Sequence, residues 1–305
     1  MKDARAALAD NGLRRRDEAN LARTVSDYVA LTKPRLNVLV VATSAAGYYL
    51  GAPGPINLAA MTAAVAGTAL VAGGAATLNQ VYERDTDAMM RRTRLRPLPD
   101  GRVPTLDARV FGLVLSAAGL LMLGAFVNLP AAALALATLV VYLIVYTPMK
   151  RRSPFATLVG AVPGALPPLI GWAASHGGVS AGGAALFLIV FLWQIPHFMA
   201  IAWLYRDDYS KAGFPMLPVI EPDGRRTGRQ AVAYAVALVP ATLMPTFIGL
   251  SGNVYGIIAL VLGGGLVWLA LRFAAHRNDR SARWLFFSSI VYLPIIWVAM
   301  MADKL

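Results

Sequence analysis

Between Arg35 and Glu83 the sequence holds no charged side chain, and apolar blocks of similar character recur to the carboxyl end. A run of about 17 to 25 apolar residues crosses the hydrocarbon of a bilayer as a helix. Inside lipid every backbone N–H and C=O must be bonded within the protein, so only helices or closed barrels can span. These blocks are too long and too continuous for barrel strands. The expected fold is therefore all-α, a polytopic membrane helical bundle, and the composition of 57% hydrophobic and 14% charged residues agrees. The absence of cysteine excludes disulfides, zinc–thiolate sites, iron–sulfur clusters and thiol catalysis.

The blocks predict nine spans, at 36–51, 57–80, 106–127, 130–147, 156–174, 181–204, 231–250, 254–274 and 284–301, forming one domain over 36–305. Residues 1–35, with the run Arg14-Arg15-Arg16, are expected to be a cytoplasmic, partly disordered tail and not a cleavable signal. A net charge of +12 would suit nucleic acid, but its distribution argues for membrane orientation. The tail and the connections near 82–109, 148–154, 205–230 and 272–283 hold all of the 28 basic residues except Lys304, while the opposite connections hold none. Basic residues stay on the cytoplasmic side. The expectation is a multi-pass protein of the bacterial inner membrane, amino terminus inside and carboxyl terminus outside, with the lipid bilayer and not nucleic acid as its partner. Small residues crowd 59–78 and 159–172, where helix backbones can approach closely. Prolines 163, 167, 168, 196, 240, 245 and 294 are expected to kink helices and open a cavity.

Positive-inside sorting explains the arginines but makes no demand for acids, so the acids are informative. In LNQVYERDTDAMMRRTRLRPLPDGR, residues 78–102, Asn79, Glu83 and Asp87 are spaced four and four. At about 100° per residue they stay within roughly an 80° sector of a helix, and Asp85 points elsewhere. A second acidic cluster, Asp207 and Asp208, follows the sixth span on the same side. Magnesium is held by one or two carboxylates together with substrate phosphates, so two facing acidic clusters among arginines suit a metal-bound diphosphate. Solvated loop ion pairs are the competing explanation. Lys33 and Arg35, then Arg91, Arg92, Arg94 and Arg96, then Lys150, Arg151 and Arg152 abut spans on that side. Their forks can bind phosphate or carboxylate, or they can simply mark orientation. His197 lies inside the sixth span beside Pro196. An ionisable residue at that depth is a functional candidate, as a haem contact or proton acceptor, against the reading of a bonded core histidine.

The strings LTKPR, NQVYERDTDAMMRRTRLRPLPDGR, YTPMKR, GAVPGALPPLIGW, WQIPHF and YRDDYSKAGFPMLP run in order along the chain. Together they resemble the UbiA-type intramembrane prenyltransferases, most closely the haem-modifying branch. The resemblance implies nine spans around a central cavity whose cytoplasmic mouth binds magnesium and an isoprenoid diphosphate. It places Asn79, Glu83 and Asp87 in the family's first acidic motif, with Glu83 replacing the usual Asp. Its second motif has acids four apart, whereas Asp207 and Asp208 are adjacent here between Tyr205 and Tyr209. The register of that site stays open, with Asp208 the better match. Implied metal ligands are Asn79, Glu83, Asp87, Asp207 and Asp208. Implied diphosphate contacts are Lys33, Arg35, Arg91, Arg94, Arg96, Lys150 and Arg151, and His197 is the implied haem contact.

The implied reaction joins the farnesyl group of farnesyl diphosphate to a vinyl group of haem b, a substrate rather than a cofactor, with water supplying a hydroxyl. Trp172, Trp193, Phe198 or Trp203 would face the allylic cation. A downstream haem-modifying enzyme or oxidase assembly factor is the implied protein partner. Prenylation of an aromatic quinone precursor would use the same acids with another acceptor pocket. A transporter would place its polar groups at mid-depth and show an inverted repeat, and this sequence does neither clearly.

Overall fold

The computed structural model describes residues 22–305, all of them helix, turn or loop apart from one isolated bridge, Ser251 with Lys304. The tail expected over residues 1–35 lies outside the described residues as far as 21; residues 22–31 are helical. Nine long helices follow among the described residues: α1 Pro34–Gly51, α2 Leu58–Tyr82, α3 Thr105–Phe126, α4 Leu129–Met149, α5 Ala156–His176, α6 Ala181–Leu204, α7 Arg225–Phe247, α8 Asn253–His276 and α9 Asp279–Ala302. Eight of them, α2 to α9, are long and apolar enough to cross a membrane. The other, α1, has 18 residues, opens on Pro34, Arg35 and Asn37 and ends near Tyr48 and Tyr49. The nine expected spans are thus eight by length and hydropathy plus one shorter, more polar helix.

Small residues set how closely these helices pack. α2 lies along α3, α1 along α5, and α7 against α6 and α8. A Cβ on Gly47 would stand 2.0 Å from the Pro168 carbonyl oxygen, and one on Gly171 would stand 1.9 Å from that of Ser44. α1 and α5 therefore touch backbone to backbone, which only glycine permits at these two positions.

All seven prolines named above sit inside α5, α6, α7 and α9. Near its end α4 widens into a π turn over Val141–Tyr146. Pro148 has no N–H for the Ile144 carbonyl and its ring crowds that oxygen, so the wider turn accommodates it. Polar side chains pin the connections at the same end. Arg102 bonds Asp27 at 3.0 Å, Gln80 donates to the Leu31 carbonyl at 2.6 Å, and Leu31 is buried with Leu98, Val103 and Ala108. The LTKPR segment is thereby held against the end of α2.

Candidate active site

A cavity of about 510 Å³ lies between α1, α2, α4, α5 and α6. On α2 its lining runs from Asn79 back to Thr68, about 16 Å of helix rise. Its mouth is polar and cationic, and its depth is apolar.

At the mouth, α2 ends at Tyr82 and a short helix, Arg84–Met89, continues it. Two i+4 to i bonds carry the backbone across the junction: Glu83 N–H donates to the Asn79 carbonyl at 2.9 Å and Asp87 N–H to that of Glu83 at 2.8 Å. That continuity keeps Asn79, Glu83 and Asp87 on one face, and all three are buried and line the cavity. Asp85 is exposed, as its angle requires. Lys150 donates to both Glu83 oxygens, at 2.9 and 3.2 Å, and Arg96 donates to Asp87 Oδ2 at 2.7 Å. Asn79 accepts from Lys33 Nζ at 3.3 Å and donates to Thr147 Oγ1 at 3.1 Å.

Lys33 caps α1 in the left-handed region, with φ 51°. For a side chain with a Cβ this costs about 1–3 kcal/mol. Enclosure by the protein, then Arg96 and Lys150, lower its pKa to about 7. Burial pushes the Lys150 ammonium down as well, but Tyr146 and Glu83 beside it more than reverse this, and its pKa is raised. Lys33, Arg92, Arg96 and Lys150 share the mouth with two carboxylates. Such a surplus of cations attracts an anion.

The structure does not bring every expected residue here. Arg35, Arg91, Arg94 and Arg151 are exposed and do not line the cavity. Asp207 is exposed, Asp208 is half-buried, and neither lines it. The short helix Arg206–Lys211 turns Tyr209 inward, which rotates Asp207 about 200° and Asp208 about 100° away. The inward residue of this second segment is Tyr209, while Tyr205 is exposed. Arg92 lies over both rings, at 5.2 and 5.3 Å from their centroids, and donates to the Tyr209 hydroxyl at 3.1 Å. Arg92 is the member of the 91–96 run that reaches this segment, and because 91–96 form turns, no helical register marks it in the sequence. The spacing of four that links Tyr142, Tyr146 and Lys150 was missed too; all three line the cavity, with the Lys150 amine 4.8 Å from the Tyr146 ring centroid.

Deeper in the cavity, Trp193, Gln194, His197 and Phe198 of α6 form one wall. His197 is seven residues before the end of α6, about 10 Å below it. Trp172 is instead bonded to Ser180 and Trp203 to Asp279, away from the cavity.

Among the described residues no three His, Asp or Glu gather into a metal-binding group. Two carboxylates and a carboxamide on one buried face do fit magnesium in the way it is usually held, by one or two carboxylates with substrate phosphates completing the shell.

A bundle of membrane helices around an apolar cavity, rimmed at one end by carboxylates and cations, is the architecture of an intramembrane enzyme. The model of the UbiA prenyltransferase family matches residues 40–291, and the chain belongs to that family. It is 45% identical over 287 residues to a protein of Solibacter usitatus named protoheme IX farnesyltransferase, covering 91% of this chain and 98% of the relative. A relative of that name from Opitutus terrae is 47% identical, covering 92% and 95%. Among solved structures, digeranylgeranylglyceryl phosphate synthase superposes with a TM-score of 0.78 at 17% identity, covering 92% and 98%. A UbiA homologue from Archaeoglobus fulgidus bound to GPP and Mg2+ superposes at 0.64 with 16% identity, covering 90% and 99%, and so shares the fold.

Proposed function

We propose that the protein transfers the farnesyl group of farnesyl diphosphate to a vinyl group of haem b. The observation that carries this reading is one cavity whose cationic mouth suits a diphosphate and whose apolar depth holds a histidine. The chain-long identity to relatives named protoheme IX farnesyltransferase supports the choice of acceptor.

Lys33, Arg92, Arg96 and Lys150 bind the diphosphate and hold charge as the C1–O bond breaks and its electron pair leaves with the diphosphate. Glu83 and Asp87, with Asn79, would hold magnesium. When bound, the metal acts as a Lewis acid that neutralises the departing group. The cavity walls exclude stray water from the allylic cation. Terminal vinyl carbon and farnesyl C1 then join, and water adds to the cation left beside the porphyrin and releases a proton to solvent, leaving the hydroxyl. His197 contacts the haem. The mouth faces the cytoplasm of a bacterial inner membrane, amino terminus inside and carboxyl terminus outside. A downstream haem-modifying enzyme or oxidase assembly factor receives the product.

Glu83→Gln and Asp87→Asn test the head-group assignment. A carboxylate that only paired with Lys150 or Arg96 would cost stability when removed and leave the rate alone, whereas losing stabilisation of a leaving group costs roughly 100-fold in rate or more. Both variants are expected to insert and fold, lose at least that much farnesyl transfer, and need more magnesium for the remainder. Near wild-type rates without added magnesium would remove the metal–diphosphate site from this helix.

A further inference from the structure

The wall of the cavity holds an imidazole whose surroundings are more specific than haem contact requires. His197 is sandwiched between Trp193 and Phe286, with ring centroids at 5.1 and 5.0 Å and planes within 21° and 28° of parallel. These stacked rings fix the imidazole plane. Its Nδ1 lies 2.8 Å from Ser289 Oγ on α9. The Ser289 side chain is fully buried, and its hydroxyl also reaches the Phe286 carbonyl at 2.7 Å. The serine backbone is held to the same wall, because Trp193 Nε1 donates to the Ser289 carbonyl at 2.8 Å. Two bonds from one turn of α6 therefore end on a single residue of α9.

A hydroxyl has one proton to donate, and a carbonyl oxygen only accepts. With the Ser289 proton directed to the Phe286 carbonyl, Oγ meets Nδ1 as an acceptor. Nδ1 then carries the imidazole proton, and Nε2 keeps its lone pair. His197 lines the cavity, and Nε2 is the ring nitrogen left without a bond among the described residues. A neutral imidazole with its other N–H bonded to a fixed oxygen is the usual form of a metal-ligating histidine.

We propose that Nε2 of His197 is an axial ligand to the iron of the haem substrate, and that Ser289 is the positioning residue that sets its tautomer and orientation. This inference rests on haem being the acceptor and goes beyond it by naming the bond that places the porphyrin. That bond fixes where the iron sits along the α6 wall, and so how far the porphyrin lies from the cationic mouth.

The test is haem titration of the purified full chain in detergent, followed by absorption and electron paramagnetic resonance spectra. Wild type is expected to show a histidine-ligated haem. His197→Ala should lose that spectrum, and added imidazole should restore it. Ser289→Ala should weaken haem binding about 10- to 100-fold, the usual effect of removing an outer partner of a ligating histidine, and should shift the spectrum. Ser289→Thr, which keeps the hydroxyl, should retain both. If the alanine variant fails to fold, Ser289→Cys makes the same test with similar volume and a weaker hydrogen bond. A Ser289 variant without the hydroxyl that keeps wild-type spectrum and affinity overturns the positioning role. A wild type that transfers farnesyl but shows no nitrogen-ligated haem overturns the inference alone. A wild type that neither binds haem nor transfers farnesyl to it overturns the reading of function as well.

Discussion

Lys33 shows how one residue is held at a cost for the sake of a site. It occupies a left-handed backbone conformation that lysine disfavours, and its amine is enclosed beside two other cations. Asparagine tolerates that conformation and carries no charge. Lys33→Asn is therefore expected to gain about 1 kcal/mol of stability while losing a charged contact to the diphosphate. Contacts to charged groups contribute about 1.5–3 kcal/mol, so KM for farnesyl diphosphate should rise roughly tenfold or more. Thermal unfolding in detergent and steady-state kinetics measure the two effects; an unchanged KM would take Lys33 out of the diphosphate site. At this scale the sequence was legible where spacing alone decides. Asn79, Glu83 and Asp87 recur every four residues and share a buried face. Lys33 and Arg96 were separable from Arg35, Arg91, Arg94 and Arg151 only in three dimensions, since all of them adjoin spans. Ser289 was invisible, because its partner is 92 residues away.

Helices were legible where lipid imposes length, and less so where they enter water. α6 spans 181–204 as its apolar block predicts. α7 and α9 instead begin at Arg225 and Asp279, several residues before their apolar blocks, because a helix continues past the hydrocarbon into the polar interface. The short helix Arg206–Lys211 has no apolar signature, so the inward turn of Tyr209 could not be read in advance. Small-residue clusters did signal close packing, and Gly171 tests it. Its added Cβ would meet a backbone oxygen that no side-chain rotation can move. Gly171→Ala should destabilise by about 1–3 kcal/mol or more and lower the yield of folded protein. Gly178→Ala, where a Cβ meets nothing within 4 Å, should stay within about 0.5 kcal/mol. Equal melting temperatures for the two variants would refute the backbone contact between α1 and α5.

The whole molecule joins two chemistries that neither water nor lipid provides together. Its helices enclose an apolar cavity, and the ends of α2 and α4 near Glu83 and Lys150 supply charge at one rim of it. The placement of acids at a membrane face, which separated an enzyme from a transporter in the sequence, reappears as that rim. The pairing of donor and acceptor in one cavity is the central claim. It is tested most directly by incubating purified protein in bilayers with haem b, farnesyl diphosphate and magnesium, then weighing the extracted haems by mass spectrometry. The predicted product is haem b enlarged by one farnesyl group and one hydroxyl, formed in step with released diphosphate. Haem recovered unchanged while an aromatic quinone precursor is prenylated under the same conditions would contradict it.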